Sequence, residues 1–233
     1  MENYIGIDIS INSTAVYIEN DRCQSVLSFT NKKDNNIYIK ELDRCGVVFF
    51  HHIRDISDNY SENEILKLHH YSRISNLLVD EIIKRIDTSK KTYCQIEGYS
   101  FSKNTSSILD IVSFSTLIKS NLINSIPSIN MSIISPSTLK LETCKLVYPP
   151  INIGKKKVIL EFRNNHGISG GSFKKPDMYR AMLDGSIKSP IYEMLASYRH
   201  LMERGKIPNP IEDIIDSIFA CKIKINEIEN DNR

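Results

Sequence analysis

Four acidic residues occupy positions in the sequence that call for an explanation. Asp8 interrupts the otherwise apolar run 4–9, and Glu97 ends a second run rich in β-formers. A buried, unpaired charge strongly disfavours folding, so such a group normally pairs, loses its charge or binds a metal ion. Asp213 and Asp216 are three residues apart, so on a helix their carboxylates lie on one side. The set predicts a site with oxygen ligands.

The ligand chemistry favours a hard divalent cation. Oxygen donors suit Mg²⁺, with Mn²⁺ able to substitute, whereas zinc sites are typically built from Cys and His. Two such ions roughly 3.5–4 Å apart activate a water and stabilise the leaving oxygen in an in-line displacement at phosphorus. The five cysteines form no zinc spacing, and their odd number indicates reduced, mostly buried thiols in an intracellular protein.

Each acid also has a structural explanation when it is taken alone. Asp8 or Glu97 would fit a strand end whose charge faces solvent. Asp213 and Asp216 near a helix N-terminus would complement the helix macrodipole. One acid on the first strand, one ending a later strand and a pair on the last helix together form a much more specific signal than any member.

The elements that must position these acids form an alternating pattern. Hydrophobic periodicity predicts strands at 4–9, 14–19, 25–29, 37–50, 92–96 and 131–134. It predicts helices at 62–87, 105–126, after Pro136, 155–164, 176–183, 190–204 and 211–226. Ser61 and Glu64 offer a capping box for the first of these helices. The order indicates a single α/β domain over 1–233 with a mixed sheet, interrupted by a helical insertion at 167–208.

Charge is distributed unevenly although the net charge is only +2. Residues 154–206 carry 11 Lys and Arg against 5 Asp and Glu, whereas residues 207–233 carry 3 against 6. A basic segment just before an acidic one suits a protein that grips phosphates beside a metal site. A solvated, lysine-rich surface is the competing explanation.

Several segments occur in the order found in a known family. They are Ile5–Asp8 with Ser13–Val16, Gln95–Asn104, Ile134–Lys140 with Gly154–Lys157, and Glu212–Ala220. This ordered set resembles the RuvC-type Holliday-junction resolvases of the RNase H-like superfamily. The chain departs from that family in its length and in the insertion before the last helix.

The resemblance implies a fold, a site and an activity. The fold would be RNase H-like, with a mixed five-stranded sheet flanked by helices. The metal-ligand and catalytic role would fall on Asp8, Glu97, Asp213 and Asp216, and we expect Asp8 to bridge two Mg²⁺ ions. A homodimer would make paired nicks in four-way DNA junctions during recombination and repair. We expect 5′-phosphate and 3′-hydroxyl ends.

Phosphate contacts are predicted in the basic segment and near the second acid. The predicted contacts are Lys103, Lys140, Lys155, Lys156, Lys157 and Arg163. Tyr99 and Phe101, beside Glu97, are candidate stacking or wedge residues at an opened junction, with core packing as the alternative. The apolar stripe of the 105–126 helix fits either the core or a dimer surface.

Other functions remain open on sequence grounds. A sugar-kinase-like or actin-like ATPase would need a glycine-rich turn after the first acid, where Ile9-Ser10 stands here. A packaging or hybrid nuclease, or a catalytically silent DNA-binding protein, would share the fold. The paired histidines 51–52 and 69–70 are predicted to be surface or core residues. Neither a membrane span nor a signal peptide is predicted, so we expect a cytoplasmic location or a viral replication compartment.

Overall fold

The computed structural model describes residues 1–32, 37–99, 105–147, 174–183, 187, 189–202 and 207–231. Its centre is a six-stranded sheet. The strands are β1 (Asn3–Asp8), β2 (Ser13–Glu19), β3 (Gln24–Thr30), β4 (Val48–His51), β5 (Thr92–Glu97) and β6 (Ile129–Ile134). Their order across the sheet is β4-β3-β2-β1-β5-β6. This mixed sheet flanked by helices confirms the predicted α/β class.

Strand direction decides which ends meet. Strand β2 pairs antiparallel with both β1 and β3, whereas β5 pairs parallel with β1 and β6 pairs parallel with β5. The register aligns Ile7 with Ile96. The next residues, Asp8 and Glu97, therefore lie side by side at the carboxyl edge of the sheet.

The helices surround this sheet. They are α1 (Ile37–Arg44), α2 (Tyr60–Ile83), α3 (Thr105–Ser125), α4 (Pro136–Val147), α5 (Lys175–Leu183), α6 (Tyr192–Ser197), α7 (Arg199–Met202) and α8 (Ile211–Asp231). The bounds of α2, α3 and α8 differ from those predicted by a few residues. The predicted basic helix at 155–164 lies outside the described residues. None of the described helices is both long and apolar enough to cross a membrane.

Two local predictions are wrong. Most of the predicted strand at 37–50 is the helix α1, and only its end belongs to the short strand β4. The sheet has six strands, one more than the five that the family resemblance implies. Ile39 and Leu42 are buried three residues apart, a helical spacing, and Gly46 ends this segment with φ +87°. The cap of α2 is Asn59, whose side chain accepts from the Glu62 amide at 3.1 Å, rather than a Ser61 capping box.

Each face of the sheet has its own core. Alternate residues of β1, such as Ile5 and Ile7, pack against α2 and α3 on one face. The other face carries α8, together with buried side chains of α4, α5 and α6. Gly6, Asp8 and Glu97 belong to this second face, since they alternate with the residues of the first. The acids of α8 therefore lie over the strands that carry the other two.

Candidate metal centre

The first two acids are positioned by neighbouring parallel strands. Asp8 ends β1 and Glu97 ends β5, and both side chains are half-buried. Parallel strands bring equivalent ends to one edge, so two acids far apart in sequence become neighbours. Gly98 follows Glu97 and its amide donates to the Ile134 carbonyl oxygen at 2.7 Å. This bond fixes the backbone just beyond the second acid.

The other two acids come from the first turns of α8. Asp213 and Asp216 are buried, with 6% and 1% of their surface exposed. The helix lies directly on β1. A Cβ built on Gly6 would stand 1.9 Å from the Ser217 carbonyl oxygen and 2.5 Å from the Cys221 amide nitrogen. Only glycine permits this approach, which places the α8 acids over the β1 acid.

Three of the four predicted acids form one cluster. Asp8, Glu97 and Asp216 each offer a carboxylate oxygen, and these atoms lie within 4.8 Å of one another. Asp213 stands next to Asp8, outside that tight group. Its Oδ2 atom is buried and has no hydrogen-bond partner among the described residues. The structure thus brings all four acids to one place, with Asp213 on the periphery.

The cluster is short of positive charge. Burial, followed by the neighbouring Asp216, raises the pKa of Glu97 to about 8. Burial also raises the pKa of Asp213 to about 7, despite the lowering effect of Ser13 and Asp8. The pKa of Asp8 is raised well above its usual value by burial and then by the three other acids. Carboxylates held this close favour a bound cation or a shared proton.

One cation in the site was not predicted from the sequence. Lys175, the first residue of α5, places its Nζ atom 2.6 Å from Asp216 Oδ2 and 2.5 Å from Glu212 Oε1. Burial opposes its charge, but the two carboxylates outweigh burial and raise the pKa of Lys175 above its usual value. No local pattern marks this lysine, because its partners lie some forty residues downstream.

A second lysine was predicted, as a phosphate contact. Lys140 lies on α4, and its charge lowers the pKa values of Glu97 and Asp216. It therefore stands close enough to the carboxylates to act on them electrostatically. With Lys175, it lines the α4–α5 side of the cluster with positive charge.

The remaining predicted contacts divide into two groups. The Tyr99 hydroxyl accepts a hydrogen bond from Lys119 Nζ at 3.0 Å, and that ammonium also lies 4.8 Å from the ring centroid. Tyr99 is thus tied to α3 and half-buried. The other group lies outside the described residues: Lys103, Phe101, Lys155, Lys156, Lys157 and Arg163.

Two histidines come together away from any predicted site. His52 is buried at the end of β4, and its Nδ1 atom lies 3.2 Å from His70 Nε2 on α2. Burial lowers the pKa of both rings, that of His70 to about 4. A hydrogen bond between neutral rings explains this pair, which ties an edge strand to α2. The five cysteines are free thiols, three of them buried.

The donor set fits a hard divalent cation. All four acids offer oxygen, and one buried oxygen of Asp213 has no hydrogen-bond partner in the part of the chain that the structure describes. Mg²⁺ and Mn²⁺ take oxygen ligands from a few carboxylates and complete their shells with water or substrate. Asp8, Glu97 and Asp216 would hold the ion, with Asp213 beside them. Burial raises the pKa of each of the four acids, with repulsion between neighbouring carboxylates added, and a bound cation would offset both effects.

The α/β fold with its acidic cluster can be compared with solved structures. The chain is similar over 97% of its length to Thermus thermophilus RuvC bound to a Holliday junction, with 96% of that chain covered, 7% identity and a TM-score of 0.44. It is also similar over 95% of its length to the yeast mitochondrial Holliday junction resolvase Ydc2, with 76% of that chain covered, 8% identity and a TM-score of 0.47.

No protein-family model matches the chain, and no curated protein matches it. Identities of 7–8% and TM-scores below 0.5 are too low to transfer a substrate or a mechanism. The functional inference therefore rests on the geometry of the carboxylates.

Proposed function

We propose that this chain is a divalent-metal-dependent DNA endonuclease that cuts branched DNA, with the four-way junction as its substrate. One observation carries the proposal. Asp8, Glu97 and Asp216 come from β1, β5 and α8 and offer oxygens within 4.8 Å of one another. Such a group of half-buried and buried acids, with raised pKa values, is suited to holding Mg²⁺ for phosphodiester hydrolysis.

The chemistry divides between the ion and the chain. When bound, Mg²⁺ or Mn²⁺ would lower the pKa of a water and stabilise charge on the leaving 3′ oxygen. Asp8 lies between Glu97 and Asp213 and is suited to the central ligand position. The Asp216 carboxylate is held by an ion pair with Lys175. Hydrolysis in this manner yields a 5′-phosphate and a 3′-hydroxyl.

The side of the site formed by α4 and α5 would face the DNA backbone. Lys140 is half-exposed and lies near enough to lower the pKa of Glu97. A phosphate entering the cluster would meet this charge as well as the ion. The basic stretch 154–206 adds an excess of six positive charges to the chain around it. These features support nucleic acid, rather than a small molecule, as the substrate.

A homodimer belongs to the same proposal, because paired nicks need two active sites on one junction. Sedimentation or light scattering at micromolar protein tests it. A monomeric mass, both free and bound to a junction, would contradict the dimer and leave single nicks as the expected product.

The proposal is tested by cleavage of four substrates matched in sequence: a four-way junction, a flap, an RNA:DNA hybrid and a linear duplex. We expect symmetric, ligatable nicks across the junction with Mg²⁺, none after chelation, and recovery when Mg²⁺ or Mn²⁺ is restored. Preference for the hybrid or the linear duplex would replace the resolvase with another nuclease of the same chemistry. No cleavage of any of the four with either ion would remove the nuclease.

A further inference from the structure

Lys175 occupies an unusual position for a lysine. It is the first residue of α5, and a cation at a helix N-terminus opposes the helix macrodipole. It is also only 32% exposed, although lysine is rarely buried without a partner. The helix macrodipole and partial burial therefore both disfavour the charge of Lys175. The compensation is the pair of carboxylates, Asp216 and Glu212, that its ammonium group contacts.

The helix that carries Lys175 is firmly placed. Met178, Tyr179 and Met182 of α5 are fully buried, and the Tyr179 hydroxyl donates to the Leu195 carbonyl oxygen of α6. Pro176 supplies a preset φ in the first turn. Asp177 accepts a hydrogen bond from the Lys174 amide at 2.6 Å, which fixes the start of the helix. The ammonium is thus delivered to the acids by a packed element.

The acids that Lys175 contacts lie on one side of the cluster. Glu212 and Asp216 are four residues apart, so they stack on one face of α8. Lys175 bridges them at 2.5 and 2.6 Å, which are ion-pair distances. Asp216 is also one of the three mutually close acids. Asp216 therefore belongs to the cluster and is also paired with a fixed positive charge.

We propose that the ammonium group of Lys175 is a resident cation of the site and leaves room for one tightly held divalent ion, among Asp8, Glu97 and Asp216. Two divalent ions are predicted from the sequence. A second one beside Asp216 would have to displace an ammonium that is held by two carboxylates. It would also suffer repulsion from that charge at short range in a partly buried site. This inference rests on the proposed metal-dependent function and specifies its ion count.

The test counts Mn²⁺ ions bound to the metal-free protein by electron paramagnetic resonance of the free ion, in a titration without DNA. We expect one tight Mn²⁺ per chain in the wild type. We expect a second in Lys175→Met and in Lys175→Gln, because both remove the charge. Thermal denaturation shows which variants fold.

Two control variants separate the charge from the side chain. Lys175→Arg keeps the positive charge and is expected to bind one ion. Lys174→Gln removes the charge of the exposed neighbouring residue and is also expected to bind one. A second ion in either of these variants would contradict the assignment to the Lys175 charge.

The remaining outcomes distinguish a failure of the Lys175 proposal from a failure of the proposed metal-dependent function. Two Mn²⁺ ions per wild-type chain, with Kd values within about tenfold, would overturn the lysine proposal and leave the metal-dependent nuclease standing. One ion in both neutral variants would overturn it in the same way. No bound Mn²⁺ in the wild type would remove both proposals at once.

Discussion

The negative and the positive groups of the site come from two regions that are built differently. The acids stand on β1, β5 and α8, where Gly6 lets the helix backbone touch the strand. The lysines stand on α4 and α5, helices that pack outside the sheet and reach inward with long side chains. The backbone contact between α8 and β1 fixes the position of the acids, whereas the positive charges reach the site through the long side chains of the lysines. We therefore expect changes in the first region to be the more damaging.

Replacement of an acid should have the largest effect. Asp216→Asn removes the charge of a cluster acid and its ion pair with Lys175 together, so we expect junction cleavage to fall at least ~10³-fold. Glu212→Gln, which changes the other partner of Lys175 and no cluster oxygen, should cost less than about tenfold. Single-turnover rates at saturating Mg²⁺ measure both. Equal losses in the two variants would contradict the distinction between Asp216, a cluster acid, and Glu212, which only pairs with Lys175.

Gly6→Ala tests the contact between strand and helix. A Cβ at this position overlaps the Ser217 carbonyl oxygen, so α8 must move away from β1. We expect a loss of unfolding free energy of about 3 kcal/mol or more, with cleavage lost as well. Gly46→Ala is the matched control. It has φ +87° but open space around it, and should cost about 1 kcal/mol. Urea denaturation without metal compares the two.

The pH dependence of stability tests the crowding of the acids. Glu97 and Asp213 have folded pKa values of about 8 and 7, above their usual 4.5 and 3.8. Raised values mean that the folded state binds protons more tightly than the unfolded state. The resulting stability is complete below about pH 4 and is lost as pH rises through 7 to 8. Without metal, the free energy of unfolding should therefore fall between pH 4 and pH 8.

Glu97→Gln supplies the comparison for that window. The variant lacks one of the crowded charges, so its stability should fall less between pH 4 and 8 than that of the wild type. Mg²⁺ should restore the wild type at pH 8 and should act more weakly on the variant. Parallel curves for the two proteins would show that Glu97 does not share the repulsion.

The smallest expected effect belongs to Lys140. Its charge lowers the pKa values of Glu97 and Asp216, so Lys140→Gln should raise both. The midpoint of metal binding against pH should move to higher pH, and junction cleavage should fall a few-fold. Calorimetric titrations of Mn²⁺ at several pH values measure the midpoint. A shift to lower pH would contradict the assigned position of this charge.

The sequence marks the four acids but not Lys175, and this difference has one physical cause. Asp8 and Glu97 stand out locally, because an acid within an apolar strand is costly wherever the strand packs. Their meeting also follows from strand direction alone. Lys175 has no such local cost in its sequence. Its role arises from a contact across 41 residues with Asp216, which only the packing of α5 creates.

The two wrong predictions of local structure also fall where the local sequence pattern does not decide the outcome. The Ile-Tyr-Ile run at 37–39 has strand propensity, yet Ile39 and Leu42 bury one face of α1, and tertiary packing decides the outcome. At α2, Ser61 and Glu64 fit a capping box on pattern alone. Asn59 caps the helix instead, because the chain enters the helix two residues earlier.

Cleavage of a four-way junction by wild type and by Asp8→Asn tests the central claim most directly. The Asp8 charge is disfavoured by burial and by its three acidic neighbours, so the variant should fold at least as stably as the wild type without metal. With Mg²⁺ present, we predict paired nicks from the wild type and a loss of at least ~10³-fold in the variant. Normal cleavage by folded Asp8→Asn protein would contradict the account.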